Sequence, residues 1–190
     1  ERCVAATKTF INQLYLLARL VNELGYDAHL SELPEMIEGI IEDNEPKIRE
    51  LAKKIKDEKD VYVIGRGLTY PVAREMALKL KEIPYVHAEG MMGGELKHGT
   101  LALVEEGTPV ISLIPEKDSE IRVNVEEVES KGGRSIKVSP WEGEFEIPSV
   151  NSNFAFFATV LGFLLSYWIA CEKGLPVDRP RNLAKSVSTK

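Results

Sequence analysis

Hydrophobic residues recur at helical spacing through the first quarter of the chain. Between Thr7 and Leu24 they stand three or four apart, and Gly25 follows as a helix stop signal. These residues are Phe10, Leu14, Leu17, Leu20, Val21 and Leu24. A second helical pattern carries Leu33, Ile37, Ile40 and Ile41. A third helix is expected after Asn44 as its N-cap, with Pro46 early in the helix. The pattern predicts a helical arm over residues 1–45.

The hydrophobic period changes at the run VYVIGRG, which begins at Val61. A short β-branched and aromatic run that ends in glycines is typical of a buried strand. Strands and helices then alternate: a helix from about Tyr70 to Ile83, strands at YVHAE and PVISLI, a helix from about Ser119 to Ser130, and a strand at RSIKVS. Such alternation produces parallel βαβ units. The sequence predicts an α/β fold with an open, mostly parallel sheet over residues 46–175.

The stretch from Phe154 to Cys171 contains no charged residue. Its length is close to the roughly 20 residues that span a bilayer, so a membrane anchor is one interpretation. An N-cap signal at Ser152 and Asn153, together with small and polar residues inside the stretch, favours a buried core or dimer-interface helix. We therefore predict no membrane association, and a polar tail over residues 176–190.

Composition narrows the functional classes. The chain has 190 residues, 44% hydrophobic content and a net charge of -6, which predicts one main core and excludes a binder of nucleic-acid backbones. Its two cysteines, Cys3 and Cys171, follow no metal or disulfide spacing, so a cytoplasmic location is expected. The chain begins at Glu1 rather than Met, and we expect it to be a fragment.

Candidate chemistry is concentrated in the segment GELKHGT. Glu95, Lys97 and His98 lie within four residues between glycines. This spacing is too tight for a metal site on one element, and no other His or Cys cluster completes it, so no metal is predicted. The segment is either a surface turn or a loop that approaches a ligand. The Gly65-Arg66-Gly67 turn lacks Walker and dinucleotide spacings, which favours an ordinary strand-to-helix turn over a phosphate cradle.

The helix after the first strand has two distinct sides. Its buried face is predicted to carry Val72, Met76, Leu80 and Ile83, while Glu75, Lys79 and Glu82 lie along one flank. One interpretation is a solvated charge pair that contributes only tenths of a kcal/mol. The alternative is catalytic, because Glu82 ends the helix just before the next strand and the turn that carries His98. A carboxylate, an amine and an imidazole would then converge.

Two long stretches resemble one enzyme family. GRGLTYPVAREMALKLKEIPYVHAEGMMGGELKHGTLAL, followed far downstream by VDRPRNLAKSVS, resembles the second sugar-isomerase (SIS) half of glucosamine-6-phosphate synthases, the glutamine:fructose-6-phosphate amidotransferases. The elements ALKLKEI, GELKHG and PRNLAKSV come in the order of the family. VAATKTF near the start is similar to the segment that ends the family's first SIS half. The resemblance implies a three-layer αβα SIS domain preceded by the helical arm.

The resemblance also implies a reaction and its residues. Fructose 6-phosphate and ammonia would become glucosamine 6-phosphate through an imine at C2 and a proton transfer between C1 and C2. By resemblance, Glu82 shuttles that proton, His98 opens the sugar ring from a neighbouring subunit, Lys185 interacts with the open-chain carbonyl, Lys79 assists, and the backbones of Val4 and Ala184 contact substrate. No metal or organic cofactor is implied, and a homodimer is.

Several family features are missing from this sequence. The Ser/Thr-rich phosphate loop of the first SIS half and the glutaminase domain are absent, so the fragment alone is expected to be inactive. Ala6 and Thr100 replace a serine and a proline that are usual in the family. Two alternatives therefore stay open: an SIS-type glucosamine-6-phosphate deaminase, and a non-catalytic phosphosugar-binding module.

Overall fold

A computed structural model describes residues 1–117, 120–149 and 153–186 of the chain. The helices are α1 (Lys8–Glu23), α2 (Leu33–Ile55), α3 (Thr69–Glu82), α4 (Ile121–Ser130) and α5 (Asn153–Glu172); short 3-10 helices cover Gly93–His98 and Thr100–Leu103. The strands are β1 (Asp60–Gly65), β2 (His87–Met92), β3 (Pro109–Leu113), β4 (Arg134–Ser139) and β5 (Phe145–Glu146). The positions of Ser119 and Ser152, predicted to lie at helix starts, are outside the described residues.

The five strands form one parallel sheet in the order β2-β1-β3-β4-β5. Side chains alternate across it: Val61 and Val63 of β1 join a core with α1, α2, α3 and α5, whereas Tyr62 and Ile64 join a core with α4 and the 3-10 segment. A sheet covered by helices on both faces buries its strands on both sides. The predicted three-layer α/β architecture is confirmed, and the short β5 is an addition to it.

Helix α2 corrects one prediction. It runs without a break through Asn44 and Pro46, so Asn44 is not an N-cap and no third helix begins there. Asn44 is buried, and its amide Nδ2 donates to the carbonyl of Ile40 at 2.9 Å. The apolar face continues past the proline through Ile48 and α2 packs along α5, so packing outweighs the hydrogen bond that Pro46 cannot make. The predicted domain boundary after residue 45 falls inside this helix, and the division of the chain stays a prediction.

Helix α1 packs differently from its sequence pattern. Ile11, Leu14 and Ala18 face the core. Leu14 belongs to the predicted stripe, but Leu17, Leu20, Val21 and Leu24 of that stripe are exposed, and so is Leu16, which the prediction did not include. Several large apolar side chains exposed together on one helix are typical of a surface that packs against another element. The outer face of α1 is therefore an apolar surface without a partner among the described residues.

Helix α5 lies in the core, as the sequence favoured. Its length and composition would suffice to cross a membrane, but 67% of its most apolar window is buried inside the protein. It packs closely on α3, because a Cβ at Gly162 would lie 2.4 Å from Cγ of Met76. Helix α3 is held as tightly on β2, where a Cβ at Gly90 would lie 2.3 Å from the carbonyl oxygen of Ala73. These contacts fix the position of α3 between the sheet and α5.

Candidate active site

A buried charge cluster occupies the last two turns of α3. The ammonium of Lys79 lies 2.5 Å from Oε2 of Glu82 and 3.3 Å from Oε1 of Glu75. Side-chain exposure rises from 3% at Lys79 to 11% at Glu75 and 23% at Glu82. The interpretation of this flank as a solvated surface is therefore wrong. The same exposures make Glu82 the member of the cluster that a ligand can reach.

Burial has an electrostatic consequence at Glu75. Desolvation raises the pKa of the Glu75 carboxyl above its ordinary value of 4.5, although Lys79 acts in the opposite direction. The neutral form is therefore favoured more by the folded protein than by the unfolded chain. The stability that this group contributes is fully present below its ordinary pKa and is lost as the pH rises through the raised pKa.

We expect Glu75→Gln to become more stable relative to the wild-type chain as the pH rises from 4 to 7. Glutamine has the shape of the protonated carboxyl but does not ionise, so the variant avoids the desolvation of the charged form. Denaturant unfolding of both proteins across this range measures the difference.

The control is Glu50→Gln on α2. Glu50 pairs with Lys53 at 2.7 Å on the surface, and hydrogen bonding to that lysine lowers the pKa of Glu50. The Glu50→Gln variant should therefore gain no stability relative to the wild-type chain as the pH rises. If the stability difference between Glu75→Gln and the wild-type chain did not change with pH, this would contradict the burial of the Glu75 carboxylate.

The N-terminal segment and the tail meet beside the end of α3. Ile83, which follows Glu82, packs with Ala5 and Ala170 in one small apolar cluster that includes Val177. The tail is bound to the N-terminal segment by a hydrogen bond from the Val4 amide to the Asp178 carbonyl at 3.2 Å. The candidate residues Val4 and Lys185 are thereby brought close to the helix end that carries Glu82.

Lys185 has a defined position in this corner. Its Nζ donates to the carbonyls of Cys3 at 3.0 Å and Val4 at 3.4 Å. Ala184, the neighbouring candidate, is exposed. The backbone carbonyls orient the amine without neutralising it, because both acceptors are uncharged. The described contacts of Lys185 do not include Glu82, so a small molecule between the two groups would have to connect them.

His98 lies far from this corner of the structure. Residues Gly93–His98 follow β2 and pack against α4, where Lys97 pairs with Glu127 at 2.6 Å, and His98 itself is exposed. Because α3 runs antiparallel to the strands, its end with Glu82 lies at the amino edge of the sheet, whereas His98 lies at the carboxyl edge. Six strand residues separate these edges by about 20 Å.

This separation corrects one interpretation. The position of Glu82 just before β2 and the turn with His98 does not bring the two side chains together within one chain. The role of His98 in the site of a neighbouring subunit, which the resemblance implies, stays a prediction. The charge cluster of α3 thus lies at the edge opposite to the one where open α/β sheets usually bind ligands.

A large cleft reaches the corner of the candidate site. A cleft of about 870 Å³ runs between α1, α2 and α5 and reaches Cys3, Ile83 and Asp178; its lining contains neither Glu82, His98 nor Lys185. Within residues 1–117, 120–149 and 153–186, no three His, Cys, Asp or Glu side chains are grouped as metal ligands. The Gly65–Gly67 turn carries Arg66, which is paired with Glu120.

Sequence reasoning missed the contact that Tyr85, two residues after Ile83, makes with the C-terminal tail. Its hydroxyl accepts a hydrogen bond from the Arg181 amide at 2.6 Å and connects the tail to the end of α3. Its backbone is left-handed, with φ of 58°. The sequence gives one weak signal, a tyrosine next to Pro84 at a helix end where glycine or asparagine is common.

Comparisons with known proteins show the family to which the chain belongs. Residues 54–139 match the SIS domain family. The chain is 41% identical to a glutamine--fructose-6-phosphate aminotransferase [isomerizing] of Pyrococcus horikoshii over 97% of its own length, but it spans only 34% of that relative. The chain thus covers about a third of the length of the curated relatives it matches.

Solved structures show the same similarity. The C-terminal domain of glucosamine-fructose-6-phosphate aminotransferase from Francisella tularensis superposes with a TM-score of 0.80 and 32% identity, over 93% of this chain and 56% of that one. A glucosamine-6-phosphate deaminase from Thermotoga maritima gives 0.76 and 25%, over 97% and 58%. The chain therefore contains a SIS domain and is homologous, over nearly its whole length, to the SIS portion of glutamine--fructose-6-phosphate aminotransferases.

Proposed function

We propose that this chain is the C-terminal isomerase half of a glutamine--fructose-6-phosphate aminotransferase, which converts fructose 6-phosphate and ammonia into glucosamine 6-phosphate. The observation that carries the proposal is the buried Lys79, which holds the partly exposed Glu82 carboxylate next to the corner where Lys185 is fixed. A proton transfer between adjacent carbons needs one base that returns the proton it takes. A carboxylate with a fixed orientation and limited contact with water suits that role.

Each candidate residue has a role in the proposed reaction. Glu82 moves the proton between C1 and C2, and Lys79 fixes the direction of its carboxylate. Lys185 polarises the open-chain carbonyl or forms a Schiff base with it. The backbones of Val4 and Ala184 contact the sugar, in agreement with their place beside Lys185. No step requires a metal or organic cofactor.

His98 is proposed to open the sugar ring in the site of a second subunit. It is exposed and lies at the sheet edge opposite to Glu82, so it can join Glu82 only across an interface. We therefore infer a homodimer whose sites are shared. The exposed apolar face of α1 would be covered in the full-length protein, because this chain spans only about a third of the relatives it matches.

Mixing two inactive full-length variants tests the shared site. Glu82→Gln and His98→Asn subunits, unfolded together and refolded, should regain about a quarter of the wild-type activity, because half of the random dimers hold one intact site. Each variant refolded alone is the control. Failure to regain activity, with mixed dimers demonstrated by mass spectrometry, would contradict sharing.

The function itself is tested by assaying the full-length protein. Fructose 6-phosphate is supplied with glutamine or with ammonia, and formation of glucosamine 6-phosphate is measured; the 190-residue chain alone should be inactive. The similarity to the Thermotoga maritima deaminase favours a second candidate, the reverse reaction that releases ammonia. Turnover of glucosamine 6-phosphate without any use of glutamine would support the deaminase. Binding of either sugar phosphate without turnover would indicate a non-catalytic module.

A further inference from the structure

We propose that Tyr85 is a positioning residue that holds the C-terminal tail so that Lys185 faces the site. The inference rests on the proposed role of Lys185. Tyr85 lies in the short link between α3 and β2, three residues after Glu82. It thus belongs to the same corner as the proposed base, and its described hydrogen bond and ring contact are both with Arg181.

The tail has little else to fix it after Pro180. Pro180 is buried, but residues 181–186 are all exposed, so apolar packing does not determine their path. Tyr85 contacts Arg181 twice: its hydroxyl accepts the Arg181 amide hydrogen at 2.6 Å, and the guanidinium of Arg181 lies 4.4 Å from the centre of its ring. Lys185 lies four residues further along. Tyr85 is therefore the attachment point that directly precedes the proposed catalytic amine.

The backbone of Tyr85 supports a functional reason for the side chain. Its φ of 58° lies in the left-handed region, which glycine or asparagine occupies with less strain at helix ends. The turn is closed by a hydrogen bond from the Val86 amide to the Leu80 carbonyl at 3.0 Å, which needs no tyrosine. An aromatic residue in a strained conformation is consistent with selection for its contact with the tail.

The first experiment measures the position of Lys185 directly in the full-length protein. Tyr85→Asn removes the hydroxyl and the ring but tolerates the same backbone conformation. The rate of acylation of Lys185 by an amine reagent, followed by peptide mass spectrometry, should rise severalfold because the amine leaves the carbonyls of Cys3 and Val4. Tyr85→Phe retains the ring below Arg181, so the acylation rate of Lys185 should rise less in this variant. Tyr26→Asn, at an exposed tyrosine in the loop after α1, is the matched control. An unchanged rate in Tyr85→Asn would overturn the proposal.

The second experiment is a double-mutant cycle in kcat for the amination of fructose 6-phosphate. Tyr85→Asn should lower kcat about tenfold or more with little change in KM, because misplacing a reacting group slows the chemical step. In a Lys185→Ala background the same change should have no further effect. Additive losses would show a merely structural role and overturn the positioning role alone. Wild-type turnover by Lys185→Ala would instead remove Lys185 from the mechanism, and the tyrosine proposal with it.

Discussion

Replacing Glu82 by glutamine in the full-length protein is expected to lower the exchange of the substrate C1 hydrogen with solvent by about 10²- to 10⁴-fold. The amide has nearly the same shape and still accepts a hydrogen bond from Lys79, but it cannot take up the carbon-bound proton. Since Lys79 and Glu75 are less exposed than Glu82, no other member of the cluster can replace it. Incorporation of deuterium at C1, followed by NMR, measures the loss.

Substrate binding separates a chemical defect from a structural one. The affinity of the Glu82→Gln variant for a non-reacting sugar-alcohol phosphate should stay close to that of the wild-type protein, because the carboxylate acts in the transition state. Glu38→Gln, at an exposed position of α2, provides the control for a single lost carboxylate. Wild-type exchange in Glu82→Gln would remove this residue from the proton transfer and leave the proposed mechanism without a base.

The sequence was most informative where local pattern and tertiary packing agree. The β-branched and aromatic run at β1 predicted a buried strand, and the uncharged stretch of α5 favoured a buried core or dimer-interface helix. Both elements lie in one hydrophobic core, which confirms the strand and the core alternative for the helix. Pro46 led to a wrong prediction, because proline is common in the first turn of a helix. The continuous packing of α2 on α5 cannot be inferred from the residues around Pro46 alone. The helical wheel of α1 likewise showed an apolar stripe but not which side meets the core.

The candidate site was only partly predictable for a topological reason. Spacing placed Glu75, Lys79 and Glu82 on one flank of α3, but whether that flank meets water depends on the elements packed around it. The order of elements also puts the end of a crossover helix and the end of the following strand at opposite edges of a parallel sheet. Closeness in sequence between Glu82 and His98 therefore does not imply closeness in one chain. The contact between Tyr85 and Arg181 joins residues 96 positions apart and has no local signature.

Replacing Lys79 by methionine is expected to destabilise the 190-residue chain by about 3–5 kcal/mol at pH 7, the usual cost of removing one partner from a buried ion pair. The side chain is 3% exposed and lies between two carboxylates. Methionine fills a similar volume but leaves Glu75 and Glu82 without their common counter-charge. Chemical denaturation of the chain at pH 7 measures the change. Lys81→Met, at an exposed position of the same helix, is the matched control.

The loss should shrink on acidification, and this pH dependence identifies its cause. Burial already raises the pKa of Glu75 in the presence of the ammonium, and removal of Lys79 raises it further because like charges then face each other. A raised pKa in the folded state gives stability that is present below the ordinary value of 4.5 and lost as the pH rises above it. The double variant Glu75→Gln/Lys79→Met should therefore recover part of the stability of the 190-residue chain at pH 7, whereas the same double variant of the full-length protein should not recover activity. A loss of stability that does not depend on pH would indicate a packing defect rather than uncompensated carboxylates. It would contradict the proposal that the charge of Lys79 orients the Glu82 carboxylate.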